Sequence, residues 1–116
     1  MTETKKNLNG TWITVYQEFE GRVISPSEFE GQKLILQDST YTLIGVKVDE
    51  GIIKATGQQL DIYGTDGANK GRHYSAIYRL DQNKLSICYN LEGRTYPTDF
   101  KTDGKPRHFL SIFERS

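Results

Sequence analysis

Cysteine is nearly absent from this chain of 116 residues, which contains only Cys88. A single cysteine cannot form a disulfide within the chain, so a disulfide-stabilised scaffold is excluded. The lone thiol is compatible with a reducing compartment and equally with the periplasm, where many small proteins lack disulfides. The length corresponds to one domain, which has to be stabilised by its own hydrophobic core.

Long apolar runs are missing as well. No run approaches the roughly 18 apolar residues of a membrane-spanning helix, so no membrane span is predicted. The opening residues MTETKKNLNG contain no apolar segment of the signal-peptide type. Residues 1–7 are predicted to be a flexible N-terminal segment, followed by one domain at 8–116. The cell compartment is not determined by the sequence. We expect the protein to be cytoplasmic by default, or periplasmic or secreted if a signal was removed.

An excess of one charge is also absent. Lys and Arg together number 15, Asp and Glu together number 15, and the formal net charge is zero. Nucleic-acid-binding proteins usually carry a basic excess or a basic stripe. Because the lysines and arginines here are spread among carboxylates, we expect no nucleic-acid partner.

Aromatic residues, in contrast, are well represented at 11%, with seven tyrosines and five phenylalanines. Runs of β-branched and aromatic residues alternate with turn residues, and they predict about eight short strands. Asp38-Ser39 and the DQN sequence at 81–83 predict tight hairpins between neighbouring strands. The sequence therefore predicts an all-β fold, a small antiparallel up-and-down barrel of about eight strands, with a two-layer sandwich as the competing geometry.

Helix is predicted at most as one short turn. Ser25, Pro26 and Glu28 have the spacing of a capping box, with Ser at the N-cap, Pro at the first helical position and Glu three residues after the cap. A plain Ser-Pro turn is the alternative for the same residues.

The pattern resembles a bacterial lipocalin-like domain family of unknown function. The sequence LNGTW at 8–12 matches the Leu-x-Gly-x-Trp opening of that family. The similarity continues through GQKLILQDSTYTL, SAIYRLDQNKLSICYN and the PTDF…FER ending. The resemblance implies a lipocalin-type barrel in which Trp12 closes one end of the barrel and Arg115, late in the last strand, packs over the indole.

Elementary physical chemistry supports the same structural latch of Gly10, Trp12 and Arg115. A small barrel needs a large rigid side chain at its closed end, and tryptophan supplies that area. Glycine at position 10 allows a close approach of the backbone. A guanidinium stacked on the ring adds about 0.5–2 kcal/mol. The alternative is that Trp12 is an ordinary core aromatic.

The sequence contains no motif that is typical of a metal site or a phosphate-binding loop. His73, Cys88 and His108 are isolated, so no metal site is predicted, and no cofactor is predicted. Cys88 is predicted to be a packing residue. The glycine-rich sequence at 64–71 lacks the Gly-Lys-Ser/Thr order of a phosphate loop, and we interpret it as a solvated hairpin loop. Glu18 and Glu20 are the carboxylate pair most suggestive of acid–base chemistry.

Tyrosines lie on most of the predicted strands. They can fill the core, or they can line a cavity that holds a small molecule. The short chain favours a filled interior, because strands of about six residues enclose little depth. If a cavity exists, Tyr16, Tyr78 and Tyr89 are the predicted ligand-binding residues, because their strands alternate most cleanly.

Three functions follow. The first is a non-catalytic, lipocalin-like module that binds a small apolar or aromatic ligand inside the barrel. The second is a filled-core interaction module that self-associates as a homodimer through outer apolar strips such as Ile35 and the Ile52/Ile53 pair. The third, an enzyme, has the least support from the residues.

Overall fold

The structure is a computed structural model that describes residues 8–116, and the predicted flexible segment 1–7 lies outside the described residues. Within the described residues, nine strands and one 3-10 turn follow one another. In chain order they are β1 Gly10–Phe19, β2 Arg22–Val23, the 3-10 turn Pro26–Glu28, β3 Lys33–Gln37, β4 Thr40–Ile44, β5 Val48–Thr56, β6 Gln59–Asp66, β7 His73–Asp81, β8 Lys84–Asn90 and β9 His108–Arg115.

Eight of these strands form a closed antiparallel barrel. From β3 to β9 each strand pairs with the next one in sequence, and β1 pairs with both β3 and β9. The short strand β2 is an extra strand that pairs only with the end of β1. The predicted up-and-down barrel of about eight strands is therefore confirmed, and closure leaves few free edges for pairing with other chains.

Two-residue links connect the strands where the sequence predicts hairpins. Gln37 pairs with Thr40 across Asp38-Ser39, and Asp81 pairs with Lys84 across Gln82-Asn83. Asp38 and Gln82 both have a φ of 57°, the left-handed conformation that such tight turns require.

The turn at Pro26–Glu28 is a 3-10 turn, and the capping box does not form there. The Ser25 side chain makes no capping hydrogen bond, although Pro26 does occupy the first turn. The backbone amide of Glu28 donates to the carbonyl of Ser25 at 2.9 Å. Three residues are too few for the reciprocal side-chain bonds of a capping box. The prediction of at most one short helical turn is confirmed, without the capping box.

The connection between β8 and β9, residues 91–107, crosses the outside of the barrel. It is held there by Phe100, over which the Arg79 guanidinium lies at 4.7 Å, and by Thr102, whose hydroxyl donates to Glu18.

Cys88 follows the inward-facing Ile87 in β8 and therefore faces outward, yet it is fully buried. Burial raises the pKa of the Cys88 thiol to about 11, which suits the predicted packing role.

Candidate ligand cavity

One end of the barrel is closed by Trp12, whose side chain is fully buried. Its indole Nε1 donates to the carbonyl of Leu8 at 2.9 Å, and the Arg115 guanidinium lies over the ring at 4.2 Å. Arg115 also donates through Nη1 to the carbonyl of Asn9 at 2.9 Å. The residues named in the predicted latch thus lie together at this end, next to the core formed by Leu85 and Phe113.

A cavity of about 780 Å³ occupies the other end of the barrel. Its walls include Phe19, at the far end of β1 from Trp12, and Phe109, at the far end of β9 from Arg115. Most of the wall is aliphatic or aromatic, formed by Phe19, Leu34, Tyr41, Leu43, Ile53, Ile62, Tyr74, Ile87, Tyr89, Leu91 and Phe109. The mouth is formed by residues of the β1–β2 turn, β2 and the 3-10 turn, including Glu20, Arg22 and Glu28.

The expectation of a filled interior is therefore wrong at this end. It assumed strands of about six residues, whereas β1 has 10 residues and β5 and β7 have nine each. At about 3.3 Å per residue the longer strands add depth beyond the layer of core side chains. At the closed end the core side chains pack around the fully buried Trp12, and the extra strand length encloses the cavity at the other end.

A polar cluster lies in the wall of this cavity, centred on Asp49. The carboxylate Oδ2 accepts from the Tyr41 hydroxyl at 3.1 Å and from the Asn69 side-chain amide at 2.7 Å. Its Oδ1 accepts from the backbone amide of Asn69 at 3.1 Å. The Tyr74 hydroxyl donates to the Asn69 side-chain oxygen at 2.7 Å. We call Tyr41, Asp49, Asn69 and Tyr74 the Asp49 cluster.

Two facing glycines position the Asp49 cluster. Gly51 in β5 pairs with Gly64 in β6 on one side and with Tyr41 in β4 on the other. A Cβ on Gly64 would lie 1.9 Å from the Asn69 carbonyl oxygen, so only glycine lets the β6–β7 loop fold back this closely. The loop at 64–71 is consequently not simply solvated, as we expected, because it delivers Asn69 to the cavity wall.

Asp49 and Tyr41 are the buried members of the Asp49 cluster, and Asn69 and Tyr74 are half-buried. Asp49 is only 6% exposed, and among residues 8–116 all its hydrogen-bond donors are neutral groups. Burial, followed by the negative charge of Asp49, raises the pKa of the Tyr41 hydroxyl well above its usual range. Tyr41 is therefore a neutral donor at physiological pH.

The three tyrosines predicted from the sequence are separated by the fold. Tyr89 lines the cavity, and its burial raises the pKa of its hydroxyl. Tyr78 is 4% exposed and belongs to the core cluster, outside the cavity lining. Tyr16 is not a lining residue either, and its hydroxyl donates to Glu18 at 2.7 Å. Their ligand-binding role stays a prediction, and the geometry adds Tyr41 and Tyr74 as candidates.

A β-bulge explains the position of Tyr16. The pairing of β1 with β9 shifts between Thr14 and Tyr16, so the inward and outward positions exchange along β1. Trp12 and Thr14 are buried before the bulge, and Phe19 faces the cavity after it. The alternating pattern of β1 does not reveal the extra residue at the bulge. The prediction for Tyr16 assumed one unbroken inward–outward alternation along the whole strand.

The two carboxylates singled out in the sequence, Glu18 and Glu20, make separate contacts. Glu18 accepts hydrogen bonds from Thr102 and from Tyr16. Both bonds lower the pKa of Glu18, and the bond from Thr102 has the larger effect. Glu20 accepts from the backbone amide of Arg107 at 2.8 Å at the cavity mouth. Both carboxylates thus hold segments of the chain together.

The histidines and the cysteine lie apart from the cavity lining. His73 contacts Asp61 at 2.8 Å and stacks on Tyr63 at 4.7 Å between ring centroids. Within the described residues 8–116, no group of three or more His, Cys, Asp or Glu side chains could hold a metal ion. Also within that range, no helix has the length and apolar character needed to cross a membrane.

The residues predicted for self-association lie on different faces of the barrel wall. Ile53 faces inward and lines the cavity, whereas its neighbour Ile52 is 41% exposed. Ile35 is half-buried between inward-facing Leu34 and Leu36. Of these three isoleucines, Ile52 is the most exposed on the outer face, and a homodimer stays a prediction.

By fold and by site, the described chain is a closed β-barrel with Trp12 at one end and the cavity of about 780 Å³ at the other, which we call the hollow end. Comparison with models of protein families, with curated proteins and with solved structures finds no match to this chain. The similarity to a lipocalin-like family accordingly stays a prediction from the sequence.

Proposed function

We propose that the protein is a non-catalytic, lipocalin-like module that binds a small, mainly apolar molecule inside the barrel. The observation that carries this proposal is the cavity of about 780 Å³ at the hollow end. Pockets of roughly 300–1,000 Å³ are the usual size for drug-sized ligands. An eight-stranded barrel can hold one such molecule.

The chemistry of the wall supports binding. Ligand pockets combine apolar and aromatic walls with a few placed polar groups. Here Phe19, Tyr89 and Phe109 supply flat apolar surface, and the Asp49 cluster supplies the polar groups. This arrangement would bury the ligand's apolar body and orient its polar part.

The absence of catalysis is part of the proposal. Among the described lining residues there is no histidine, cysteine or lysine to act as nucleophile or mobile base. Asp49 accepts three hydrogen bonds, which fix its carboxylate in place. A fixed carboxylate suits recognition of a ligand.

The test is a titration with N-phenyl-naphthylamine, a neutral fluorescent probe that brightens in apolar surroundings. Leu43→Trp is the blocking variant, because Leu43 is partly exposed to the cavity and a larger side chain there fills cavity space. Ile52→Trp is the matched control, because Ile52 is 41% exposed and is not a lining residue. The probe is excited directly, at a wavelength that tryptophan does not absorb.

We expect wild type and Ile52→Trp to bind the probe with similar affinity and Leu43→Trp to bind it about tenfold more weakly or not at all. Circular dichroism establishes that each variant is folded. Absence of binding to wild type, or equal binding to wild type and Leu43→Trp, contradicts the proposal.

A further inference from the structure

We propose that the natural ligand of this cavity carries a protonated amine next to its apolar body, and that Asp49 binds the amine. This inference rests on the proposed binding function and names the chemical class of the ligand. It follows from the charge, the hydrogen bonding and the aromatic surface of the cavity.

The first argument is the uncompensated charge of Asp49. Its side chain is 6% exposed, and the ion pairs found within residues 8–116 do not include it. A buried ionised carboxylate is costly unless it is paired with a cation or fully hydrogen-bonded. Three neutral donors reduce that cost without neutralising the charge. A cationic ligand would supply the missing charge.

The second argument is the direction of the hydrogen bonds. The Tyr41 hydroxyl donates to Asp49, and the Tyr74 hydroxyl donates to Asn69, so both protons are used inside the cluster. A carboxylate offers about four acceptor sites, of which three are occupied, and each hydroxyl oxygen can still accept. Beside one remaining N–H of the Asn69 side chain, the cluster therefore has mainly acceptors left for a ligand. An ammonium group, with three N–H donors and no acceptor, complements that surface.

The third argument is the aromatic surface of the cavity that Asp49 also lines. The cavity wall contains the rings of Tyr41, Tyr74, Tyr89, Phe19 and Phe109. The face of an aromatic ring attracts a cation within about 6 Å of its centroid, and the attraction is greater when the cation is desolvated. The same rings provide apolar area for the rest of the ligand.

The fourth argument is the charge at the mouth. Among the described residues that line the cavity, three are acidic, Glu20 and Glu28 at the mouth and Asp49 in the wall, and Arg22 is basic. The whole chain has a formal net charge of zero, so this excess of carboxylates is local to the hollow end. A cleft lined by one sign of charge raises the local concentration of ligands of the opposite sign.

The test compares three probes that share one ring system and differ in charge: naphthylethylammonium, naphthylethanol and naphthylacetate. Isothermal titration calorimetry of the whole chain at neutral pH and low salt gives each affinity. We expect the ammonium probe to bind about tenfold or more tightly than the alcohol, and the carboxylate probe to bind most weakly.

Asp49→Asn is the decisive variant, because it removes the charge and keeps the shape of the side chain. Asp81→Asn is the matched control, because Asp81 is exposed in the β7–β8 hairpin, at the end of the barrel near Trp12. We expect Asp49→Asn to bind the ammonium probe no more tightly than naphthylethanol, so that the preference for the ammonium group is lost. Asp81→Asn should keep the preference.

The outcomes distinguish failure of the inference about Asp49 from failure of the proposed binding function. If all three probes bind wild type equally, or if Asp49→Asn keeps the preference for the ammonium probe, the inference about Asp49 is overturned and the binding function stands. If none of the three probes nor the neutral fluorescent probe binds wild type, both proposals are overturned. If Asp49→Asn does not fold, the ranking of the three probes on wild type decides by itself.

Discussion

Asn69 holds Asp49 through two hydrogen bonds, one from its backbone amide at 3.1 Å and one from its side-chain amide at 2.7 Å. The two residues are twenty positions apart, in different hairpins. The contact depends on the close approach of the β6–β7 loop to Gly64, where the Asn69 carbonyl would lie 1.9 Å from an added Cβ. The cavity wall is thus defined by a loop as well as by strands.

Gly64→Ala should therefore displace the loop and disrupt the Asp49 cluster. We expect a loss of about 1–3 kcal/mol in the free energy of unfolding, because the added methyl group meets backbone atoms that cannot move independently. Urea unfolding followed by circular dichroism measures the loss. Binding of naphthylethylammonium should weaken in parallel.

The control is Gly45→Ala, where the nearest atom to an added Cβ is a Gln32 side-chain nitrogen at 3.6 Å, an ordinary contact. Gly45 is also not a lining residue of the cavity. Equal stability of Gly64→Ala and wild type would show that the loop does not need glycine at this position.

The architecture could be predicted from the sequence because it depends on local patterns. Alternating strands, the turn at Asp38-Ser39 and the short links are each encoded within a few neighbouring residues. The predicted number of barrel strands follows from these patterns. The predicted closure of the sheet into a barrel agrees with the structure. The opening residues Gly10 and Trp12 also stood out locally.

The site could not be predicted because it depends on distant contacts. Asp49 stands in a polar stretch of sequence that is typical of an exposed strand end, and Asn69 stands in a loop of turn residues. The pairing of Gly51 with Gly64 and the close approach of Gly67 to Asp49 bring them together. The bulge near Tyr16 is likewise a property of the β1–β9 pairing. A glycine facing a glycine is the one signal that could have pointed to a close approach, and it requires the register to be known.

Thr102→Val should destabilise the protein in a pH-dependent way. The fully buried Thr102 hydroxyl donates to Glu18 and accepts from the Gly21 amide at 2.9 Å. Its hydrogen bond is the main reason that the pKa of Glu18 is lowered. A lowered folded-state pKa stabilises the protein above the ordinary glutamate value of about 4.5, and this contribution is lost as the pH falls through the lowered value.

We expect Thr102→Val to lose about 1–3 kcal/mol near neutral pH. The difference from wild type should shrink below about pH 4.5, leaving the part due to the unpaired Gly21 amide. Urea unfolding across a pH series measures both. Thr98→Val is the control, because Thr98 is exposed in the same connection. A difference that does not change with pH would argue against the role of Glu18.

Gly10→Ala should destabilise the closed end. Gly10 has a φ of 135°, which residues with a Cβ rarely adopt, and an added Cβ would lie 2.9 Å from Arg115 Nη1. Because the Arg115 side chain can move, we expect it to leave the Trp12 ring. The expected loss is about 2 kcal/mol or more, from backbone strain and the lost stacking together.

Gly31→Ala separates these two causes. Gly31 has a φ of 79°, but an added Cβ there meets nothing within 4 Å, so only the strain applies. Thermal unfolding should show a smaller loss for Gly31→Ala, with Trp12 emission unchanged. If both variants lose the same stability and both keep wild-type emission, Gly10 does not act through Arg115.

Arg115→Ala tests the contact over Trp12 directly. The guanidinium lies 4.2 Å from the centre of the indole ring and donates to the Asn9 carbonyl at 2.9 Å. Loss of the stacking and of the packed side-chain stem should cost about 1–2 kcal/mol in the free energy of unfolding. Trp12 is the only tryptophan, so the emission of the whole protein reports on this site, and it should shift as water reaches the ring.

Arg94→Ala is the matched control, because Arg94 is exposed in the connection at 91–107, and it should leave both measurements unchanged. A double-mutant cycle adds a second test. In the Arg115→Ala background the close contact at Gly10 is gone, so Gly10→Ala should lose less stability there than in wild type. Additive losses, together with unchanged emission in Arg115→Ala, would show that Gly10, Trp12 and Arg115 do not stabilise the closed end as one unit.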